Sequence, residues 1–443
     1  MVNVMNVRQH NMVKSYDYDF KQNTYILLCI LSICMLIILR DIKHIAINKA
    51  IFLALFGVFF ILLKSKNIIS VIVFFIPFYN GLPGNWILLM AILFFIIKED
   101  FSISMKKILL PLLVLFSELA HTFLYNSTVY VLMDIIKYLT FITIISFIVF
   151  DNKIKINYKK TLRLFTIGVI LMCFIILFTT FEYYSIDTIF SGNFRFGDLT
   201  FENNIQSMIL SNNQNNIGYY CMLSIVILLI LNYVESNKTI INWISISVLF
   251  FFGLLTMSRA FILTSISAII LFYLFSIRGV KSSFKNIFIV VLFVIVGFMI
   301  ANYFLPDMIE GLFERLSEAD GFGGRSGIYE KYNIFLKSNL LYMLLGTGLL
   351  GINEVSKISS VPHNGLQQIL VSYGIVGFFV FCIYIFLFIK SGNIMKKRIP
   401  IIGYMPLAYM LIYTQSIQLI NPYELMLPFI VTWMSIRIFS ENI

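Results

Sequence analysis

The chain alternates long apolar runs with short polar connections along almost its whole length. The runs are continuous and do not alternate with a period of two, so they predict membrane-crossing helices and not the strands of a barrel. The pattern therefore predicts an all-α, polytopic integral membrane bundle of about 12–14 transmembrane helices. The predicted spans are residues 24–39, 45–63, 67–79, 85–97, 108–125, 129–150, 163–181, 215–233, 240–256, 259–277, 286–305, 366–390, 400–418 and 424–439.

The large polar segment near the C-terminal third has its own pattern. Residues 306–320 place apolar and charged side chains on opposite faces, which predicts an amphipathic helix lying on the membrane surface. A second amphipathic stretch follows Arg325, and glycines 346, 348 and 351 then interrupt the chain. The predicted regions are a polar N-terminal tail at 1–23, a transmembrane bundle at 24–305 with an outer loop at 182–214, a large extracytoplasmic loop at 306–365, and C-terminal transmembrane helices at 366–443.

The placement of basic residues predicts which connections are cytoplasmic. Lysine and arginine collect in 151–162, 278–285 and 391–399, and the positive-inside rule places these on the cytoplasmic side. Loops 182–214 and 306–365 then fall outside. One conflict remains, because the adjacent connections at 40–43 and 64–66 are both basic, and this leaves open a re-entrant segment among the first four.

Composition excludes several classes of protein. Hydrophobic residues make up 59% of the chain and charged residues only 12%, which no soluble globular domain matches. The net charge of +11 is divided among separate connections, so it forms no single face for nucleic acid. The cysteines lie inside apolar spans without metal-ligand spacing, and the chain has no HExxH, Walker or GxSxG motif. The sequence therefore predicts neither a metal nor a cofactor.

Three predicted helices start at the outer face with polar residues. A helix N-terminus presents N–H groups and the positive end of the helix dipole, and asparagine and serine are good N-caps. Converging helix starts would form an anion site, and arginines would add fixed cations with a geometry that suits phosphate. The sequence thus predicts a phosphate or diphosphate pocket at the outer surface. The helix starts are Asn215, Ser258 with Arg259, and His363 with Asn364, and the arginines are Arg259, Arg325 and Arg195.

Each of these residues also has a purely structural interpretation. Arg259 could extend to the headgroups, Arg325 could be an ordinary loop residue, and His363 could simply begin a helix. Glu118 and His121 lie inside an apolar span, where a helix-packing pair is the favoured interpretation and a buried polar contact is the alternative.

The order of the polar motifs resembles the bacterial O-antigen polymerase and O-antigen ligase superfamily over about residues 205–390. The chain has Tyr329 where that family often has tryptophan. The motifs that carry the resemblance are Asn215, Ser258-Arg259, Gly324-Arg325 with Ile328-Tyr329, Gly346-Thr347-Gly348, Pro362-His363-Asn364 with Gln367-Gln368, and Tyr373-Gly374 with Gly377.

The resemblance implies a metal-independent, inverting glycosyltransferase of the C-type membrane architecture. Its donor would be an oligosaccharide linked to undecaprenyl diphosphate. Arg259 and Arg325 would bind the diphosphate, and His363 would activate the acceptor hydroxyl or orient the diphosphate. Substrate contacts are expected from Asn215, Arg195, Ser258, Gly324, Asn364 and Tyr329. Glu310, Glu314, Glu318, Asp320 and Glu330 stay open as alternative general bases.

The leading functional hypothesis is a polymerase of O-antigen or capsular polysaccharide repeats. It would be a multi-pass protein of the bacterial inner membrane, in contact with membrane lipid, with its site facing the periplasm or exterior. The family also implies a chain-length regulator protein as a partner. The alternatives are an O-antigen ligase acting on lipid A core and, from another class, a flippase or transporter of lipid-linked oligosaccharides.

Overall fold

The computed structural model describes residues 2–79, 81–98, 116–121, 124, 156–191, 194–197, 213–235, 239–276, 299, 302–303, 306–317, 326–349, 351–360, 362–393, 400–415 and 422–441. Within these residues every regular element is a helix. The predicted span 129–150, most of 108–125 and most of 286–305 lie outside them, as do Gly324, Arg325, Glu318 and Asp320.

The helices are named here in chain order. Short 3-10 turns lie at Ile76–Phe78 and Ile401–Tyr404. The α-helices are α1 Val2–Asp41, α2 Lys49–Leu62, α3 Ser65–Phe75, α4 Gly84–Lys98, α5 Tyr158–Tyr183, α6 Ile186–Ile189, α7 Gln214–Val234, α8 Thr239–Leu255, α9 Arg259–Ser276, α10 Pro306–Ser317, α11 Ser326–Ser338, α12 Leu340–Leu345, α13 Ile352–Ser356, α14 Gly365–Asn393, α15 Met405–Tyr413 and α16 Pro422–Glu441.

The all-helical prediction is confirmed for the described residues. Among them, four helical segments are long and apolar enough to cross a membrane, and they indicate a membrane protein. Helix α1 runs without interruption from Val2 through the polar residues before position 24 into the first apolar segment. The four segments are Phe20–Asp41, Tyr158–Tyr183, Gln214–Val234 and Gly365–Lys390.

Helix α7 lies at the centre of the bundle. Its side chains are buried on every face from Ile217 to Leu231, and it packs against α5, α8, α9, α15 and α16. A helix that is apolar all round belongs in such an enclosed position. Helix α14 is the opposite case, because its apolar side chains are mostly uncovered by the rest of the protein. It therefore lies at the perimeter, where lipid would contact it.

Polar contacts define two opposite ends of the bundle. At one end the Lys160 ammonium donates to the Asn23 side chain, and Gln22 accepts from the Lys64 backbone N–H at 3.0 Å. At the other end His44 Nε2 lies 2.8 Å from Glu182 Oε2. Helices α1 and α5 both connect these ends. We call the first the lysine-rich end and the second the far end.

The two ends resolve the charge conflict among the first connections. Residues 64–66 lie at the lysine-rich end, whereas residues 40–43 lie at the far end. Arg40 is buried there, with its Nε 2.6 Å from Asp41 Oδ1 and its guanidinium 5.2 Å from the centre of the Phe52 ring. An arginine neutralised by a buried carboxylate exerts little of the free charge on which the positive-inside rule depends. Arg40 therefore adds little to the competition between the two connections, and the exposed Lys43 is the basic residue that remains at the far end.

Candidate functional site

The starts of α7, α9 and α14 meet around the C-terminal end of α15. The Tyr413 hydroxyl donates to the Asn215 carbonyl at 2.9 Å and lies 3.2 Å from Ser258 Oγ. The next residue, Thr414, accepts at its carbonyl from Gly365 N at 2.6 Å. The three helix starts that the sequence singles out are thus joined through two consecutive residues of α15 and its end.

Arg195 joins this group from the loop after α6. Its Nε donates to the Thr256 carbonyl and its Nη2 to Asn215 Oδ1, both at 3.3 Å. The neighbouring Phe196 is buried, and its N–H donates to Leu255 O at 2.9 Å. The aromatic anchor fixes the loop against α8, so the half-buried guanidinium spans from the start of α7 to the turn before α9.

The turn between α8 and α9 is tight. Met257 is buried at a φ of 53°, a left-handed conformation that is uncommon for residues other than glycine. Ser258 N donates to Thr256 Oγ1 at 3.3 Å, and Thr256 Oγ1 donates to Gly253 O at 2.6 Å. This turn sets the half-buried Arg259 at the first position of α9, beside the positive end of its dipole.

We call the residues joined in this way the helix-start cluster: Arg195, Asn215, Thr256, Ser258, Asn364, Tyr413 and Thr414. Gly218 makes its close packing possible, because a Cβ at this position would lie 2.7 Å from the Tyr413 hydroxyl oxygen and 3.2 Å from Thr256 Oγ1.

The start of α14 is capped from within the protein. Asn364 Oδ1 accepts from Leu366 N at 3.0 Å and Gln367 N at 3.1 Å, while its carbonyl accepts from Gln368 N. Gly365 N donates to Thr414, as described above. The first N–H groups of this helix are therefore occupied, which differs from the expectation of free donors. What α14 offers an anion is its dipole together with the side chains that flank it.

His363 directly precedes this cap and is half-buried. Asn364 Nδ2 also donates to Gln415 Oε1 at 2.9 Å, so the backbone around His363 is tied to the end of α15. Tyr329 reaches the same helix start through its backbone, because its carbonyl accepts from Gln367 Nε2 at 3.0 Å. Helix α11 is therefore docked on the first turn of α14.

Helix α11 is further held from its other face. The Tyr332 ring is buried, and its hydroxyl donates to Ser360 O at 2.7 Å. Burial raises the pKa of the Tyr332 phenol, so the hydroxyl stays a donor at neutral pH. The side chains of Glu310, Glu314 and Glu330 are exposed.

The structure brings together most of the described residues that the sequence predicts for the site. Arg195, Asn215, Ser258 and Asn364 are joined by contacts, and Arg259 and His363 adjoin Ser258 and Asn364 in the chain. Arg325 and Gly324 are not among the described residues. Thr256, Gly218, Tyr413 and Gln415 were missed by sequence reasoning, since no local motif marks them.

Comparison with known proteins adds no assignment. No protein-family model and no curated protein matches the chain. Among the described residues, no group of three or more histidine, cysteine, aspartate or glutamate side chains is arranged to hold a metal ion. The chemistry that the cluster and the adjoining Arg259 support is the binding of an anionic group by guanidinium side chains next to converging helix dipoles.

Proposed function

We propose that this protein is a membrane glycosyltransferase that polymerises O-antigen or capsular polysaccharide repeat units. The observation that carries the proposal is the meeting of three helix starts with Arg195 and Arg259 beside His363 and Asn364. Such a site suits a diphosphate, which carries several negative charges and accepts bidentate hydrogen bonds from arginine. The resemblance of residues 205–390 to the O-antigen polymerase and ligase superfamily supports the same reading.

The chemistry requires little of the protein beyond positioning and charge. The acceptor hydroxyl oxygen attacks the anomeric carbon of the donor, and the bond from that carbon to the diphosphate oxygen breaks. Arg259, Arg325 and Arg195 would stabilise the charge that develops on the leaving diphosphate. The hydroxyl proton passes to a general base, and the imidazole of His363, beside the converging helix starts, would take this role. Attack from the opposite face inverts the anomeric configuration.

The proposal includes the setting of the reaction. We place the far end of the bundle at the periplasmic or outer face of the bacterial cell membrane, and the lysine-rich end at the cytoplasm. The donor and acceptor are both oligosaccharides linked to undecaprenyl diphosphate. The complete bundle, including the residues between α4 and α5, would have about 12–14 membrane-crossing helices in a C-type glycosyltransferase architecture.

A transporter of lipid-linked oligosaccharides is a second candidate, favoured by one observation. Helix α14 is broken at Gly374, where φ is 64° and ψ is −168°. Interrupted helices are common at the substrate sites of transporters. An O-antigen ligase would use the same cluster as a polymerase and differ only in its acceptor.

Deletion of the gene separates these functions. Loss of a polymerase leaves single repeats on the lipid A core or cell surface, which a gel of surface glycans detects. Loss of a ligase leaves long chains on the lipid carrier. If the deletion strain can still polymerise repeats, but lipid-linked repeats accumulate on the cytoplasmic side, the polymerase is contradicted and the transporter is favoured.

Variants of the three proposed catalytic residues test the site itself. We expect Arg259→Ala, Arg325→Ala and His363→Ala each to abolish polymer formation at unchanged protein levels, because each removes a group that contacts the reacting diphosphate or hydroxyl. Arg325→Lys should also fail, since lysine cannot make bidentate contacts.

Lys337→Ala is the matched control, because this exposed lysine of α11 is outside the cluster. Polymer made at normal levels by all three alanine variants would exclude the proposed site. A chelator added to membranes with purified lipid-linked donor should leave activity unchanged if the transfer is metal-independent.

A further inference from the structure

The segment predicted as one large outer loop contains an element that packs along the middle of α14. A Cβ built on Gly374 would lie 2.3 Å from the Leu344 backbone, and one built on Gly346 would lie 2.4 Å from the Ser372 backbone. The C-terminal end of α12 and the break in α14 are therefore in direct backbone contact. Glycine at both positions, each with positive φ, permits this approach.

The contact lies well inside the apolar length of α14. Gly374 is nine residues beyond the helix start in the apolar segment Gly365–Lys390. With a rise of about 1.5 Å per residue, the end of α12 is about 13 Å below the start of α14. If α14 crosses the membrane, α12 must descend into the same leaflet.

The backbone N–H groups directly after α12 are hydrogen-bonded within the protein, as burial at this depth requires. Non-helical backbone at membrane depth is tolerated only where protein supplies its hydrogen bonds. Thr347 N donates to Val371 O at 2.9 Å, and Gly348 N donates to Ser372 O at 2.8 Å. Leu349 N donates to Glu118 Oε1 at 3.1 Å. Three successive N–H groups thus find partners, two of them at the break in α14.

The outward face of α12 is apolar and continuous with that of α14. Its leucines are 40–65% exposed. Helix α12 consists of leucine, tyrosine and methionine only, and such an apolar surface is unfavourable in contact with water. Val376 and Phe379, just beyond the break in α14, are also exposed. The exposed leucines are Leu340, Leu341, Leu344 and Leu345.

Two buried ionisable residues hold the tip of this element from a distant part of the chain. His121 Nε2 lies 2.9 Å from Leu345 O, and its Nδ1 lies 2.6 Å from Ser117 O. The imidazole thus lies between two backbone carbonyls, one in its own helix and one at the end of α12. Gly348 fits closely here, because its Cβ would be 2.9 Å from His121 Cβ.

We propose that Leu340–Gly348 is a re-entrant element inserted into the leaflet at the far end, with lipid acyl chains covering its leucines. Glu118 and His121 form the latch that holds its tip. Ionisable residues at such depth are costly, and the contacts to Leu345 and Leu349 account for their presence. The proposal concerns how the protein sits in the bilayer and does not depend on the glycosyltransferase function.

Spin labelling in vesicles of phosphatidylethanolamine and phosphatidylglycerol tests the insertion. A nitroxide is attached to Leu344→Cys and, as a matched control, to Glu330→Cys on the exposed face of α11. The unsubstituted chain is labelled in parallel to subtract its native cysteines. At position 344 oxygen, which partitions into lipid, should relax the label more than an aqueous nickel chelate does. Position 330 should show the reverse order. Greater relaxation by the chelate at 344 would overturn the insertion.

The same label at position 344 tests the latch. Glu118→Leu removes the acceptor for Leu349 N and should lose the preference for oxygen, whereas Glu118→Gln keeps a carbonyl acceptor and should retain it. Gly348→Ala gives a second arm with Glu118 intact, because it forces a Cβ against His121. An unchanged oxygen preference in both Glu118→Leu and Gly348→Ala would overturn the latch. If Glu118→Leu does not accumulate, Gly348→Ala decides alone.

Discussion

One phenol joins two helices of the candidate site. The Tyr413 hydroxyl reaches both the Asn215 carbonyl and Ser258 Oγ, and the Tyr413 ring is fully buried. A buried hydrogen-bond acceptor that loses its donor keeps the cost of its desolvation. The Tyr413 hydroxyl therefore helps to hold α7 in alignment with α9.

Tyr413→Phe should destabilise the protein by about 1–3 kcal/mol, because the Asn215 carbonyl and the Ser258 hydroxyl lose a buried partner. Thermal unfolding in detergent measures this loss. Transfer activity should fall by more than the loss of folded protein accounts for, since Arg259 directly follows Ser258 in the chain. Tyr183→Phe, at an exposed ring of the far end, is the control and should leave both unchanged. Equal behaviour of the two variants would argue against the bridging role.

Individual residues of the site were the hardest feature to predict from the sequence. Arginine, histidine and asparagine at helix starts can be singled out because their chemistry and position are both visible in the sequence. Tyr413 cannot, because it is one of 24 tyrosines and its partners lie 155 and 198 positions away. The capping of α14 by its own Asn364 was foreseeable from N-cap preferences, but the donation of Gly365 to Thr414 was not.

Among the helices, glycine decides how closely some pairs approach. A Cβ at Gly168 of α5 would lie 2.3 Å from the backbone oxygen of Phe74 in α3. Backbone cannot move aside as a flexible side chain can, so the crossing of α3 and α5 requires glycine here. Gly57 of α2 differs, because its Cβ would meet only Met90 Sδ at an ordinary 3.4 Å.

Gly168→Ala and Gly57→Ala form a matched pair at this scale. Alanine favours a helix by about 1 kcal/mol over glycine, so Gly57→Ala should be neutral or stabilising. Gly168→Ala should instead destabilise by about 1–3 kcal/mol or more through overpacking, despite the same gain in helix propensity. Denaturation midpoints in detergent compare the two. A neutral Gly168→Ala would mean that α3 and α5 separate at no cost.

Helix bounds could be predicted closely, whereas helix shape could not. Helices α5, α7, α9 and α14 begin and end within a few residues of spans read from hydrophobic runs, because apolar length and caps are local properties. The break at Gly374 depends on the contact with Leu344. Glu118 was expected to pair within the helices, and its contact with Leu349 across 231 positions has no local signal.

Within the described residues, charged side chains collect at two opposite ends of the bundle. Lys64 and Lys160 lie at one end, and the His44–Glu182 pair lies at the other. Which end is cytoplasmic stays a prediction from the distribution of basic residues. That distribution is ambiguous at Arg40, because a sequence count cannot tell an arginine buried against aspartate from one that faces water.

Labelling from each side of the membrane checks the arrangement. Lys64→Cys and His44→Cys are both exposed positions in short connections, at the lysine-rich and far ends respectively. An impermeant maleimide added to intact spheroplasts should label His44→Cys alone, and inverted vesicles should label Lys64→Cys alone. The unsubstituted chain gives the background. Labelling of both from the same side would contradict the assignment of the ends.

The enclosure of α7 has a consequence for how the chain is made. This helix lies near the middle of the sequence, yet α15 and α16, which help to enclose it, leave the ribosome well after it. Until α15 is synthesised, the start of α7 lacks its contact with Tyr413 and faces either lipid or a chaperone. A nascent chain that stops after α14 would leave the starts of α7, α9 and α14 without Tyr413 and Thr414, and a quality-control protease would have a feature by which to recognise it.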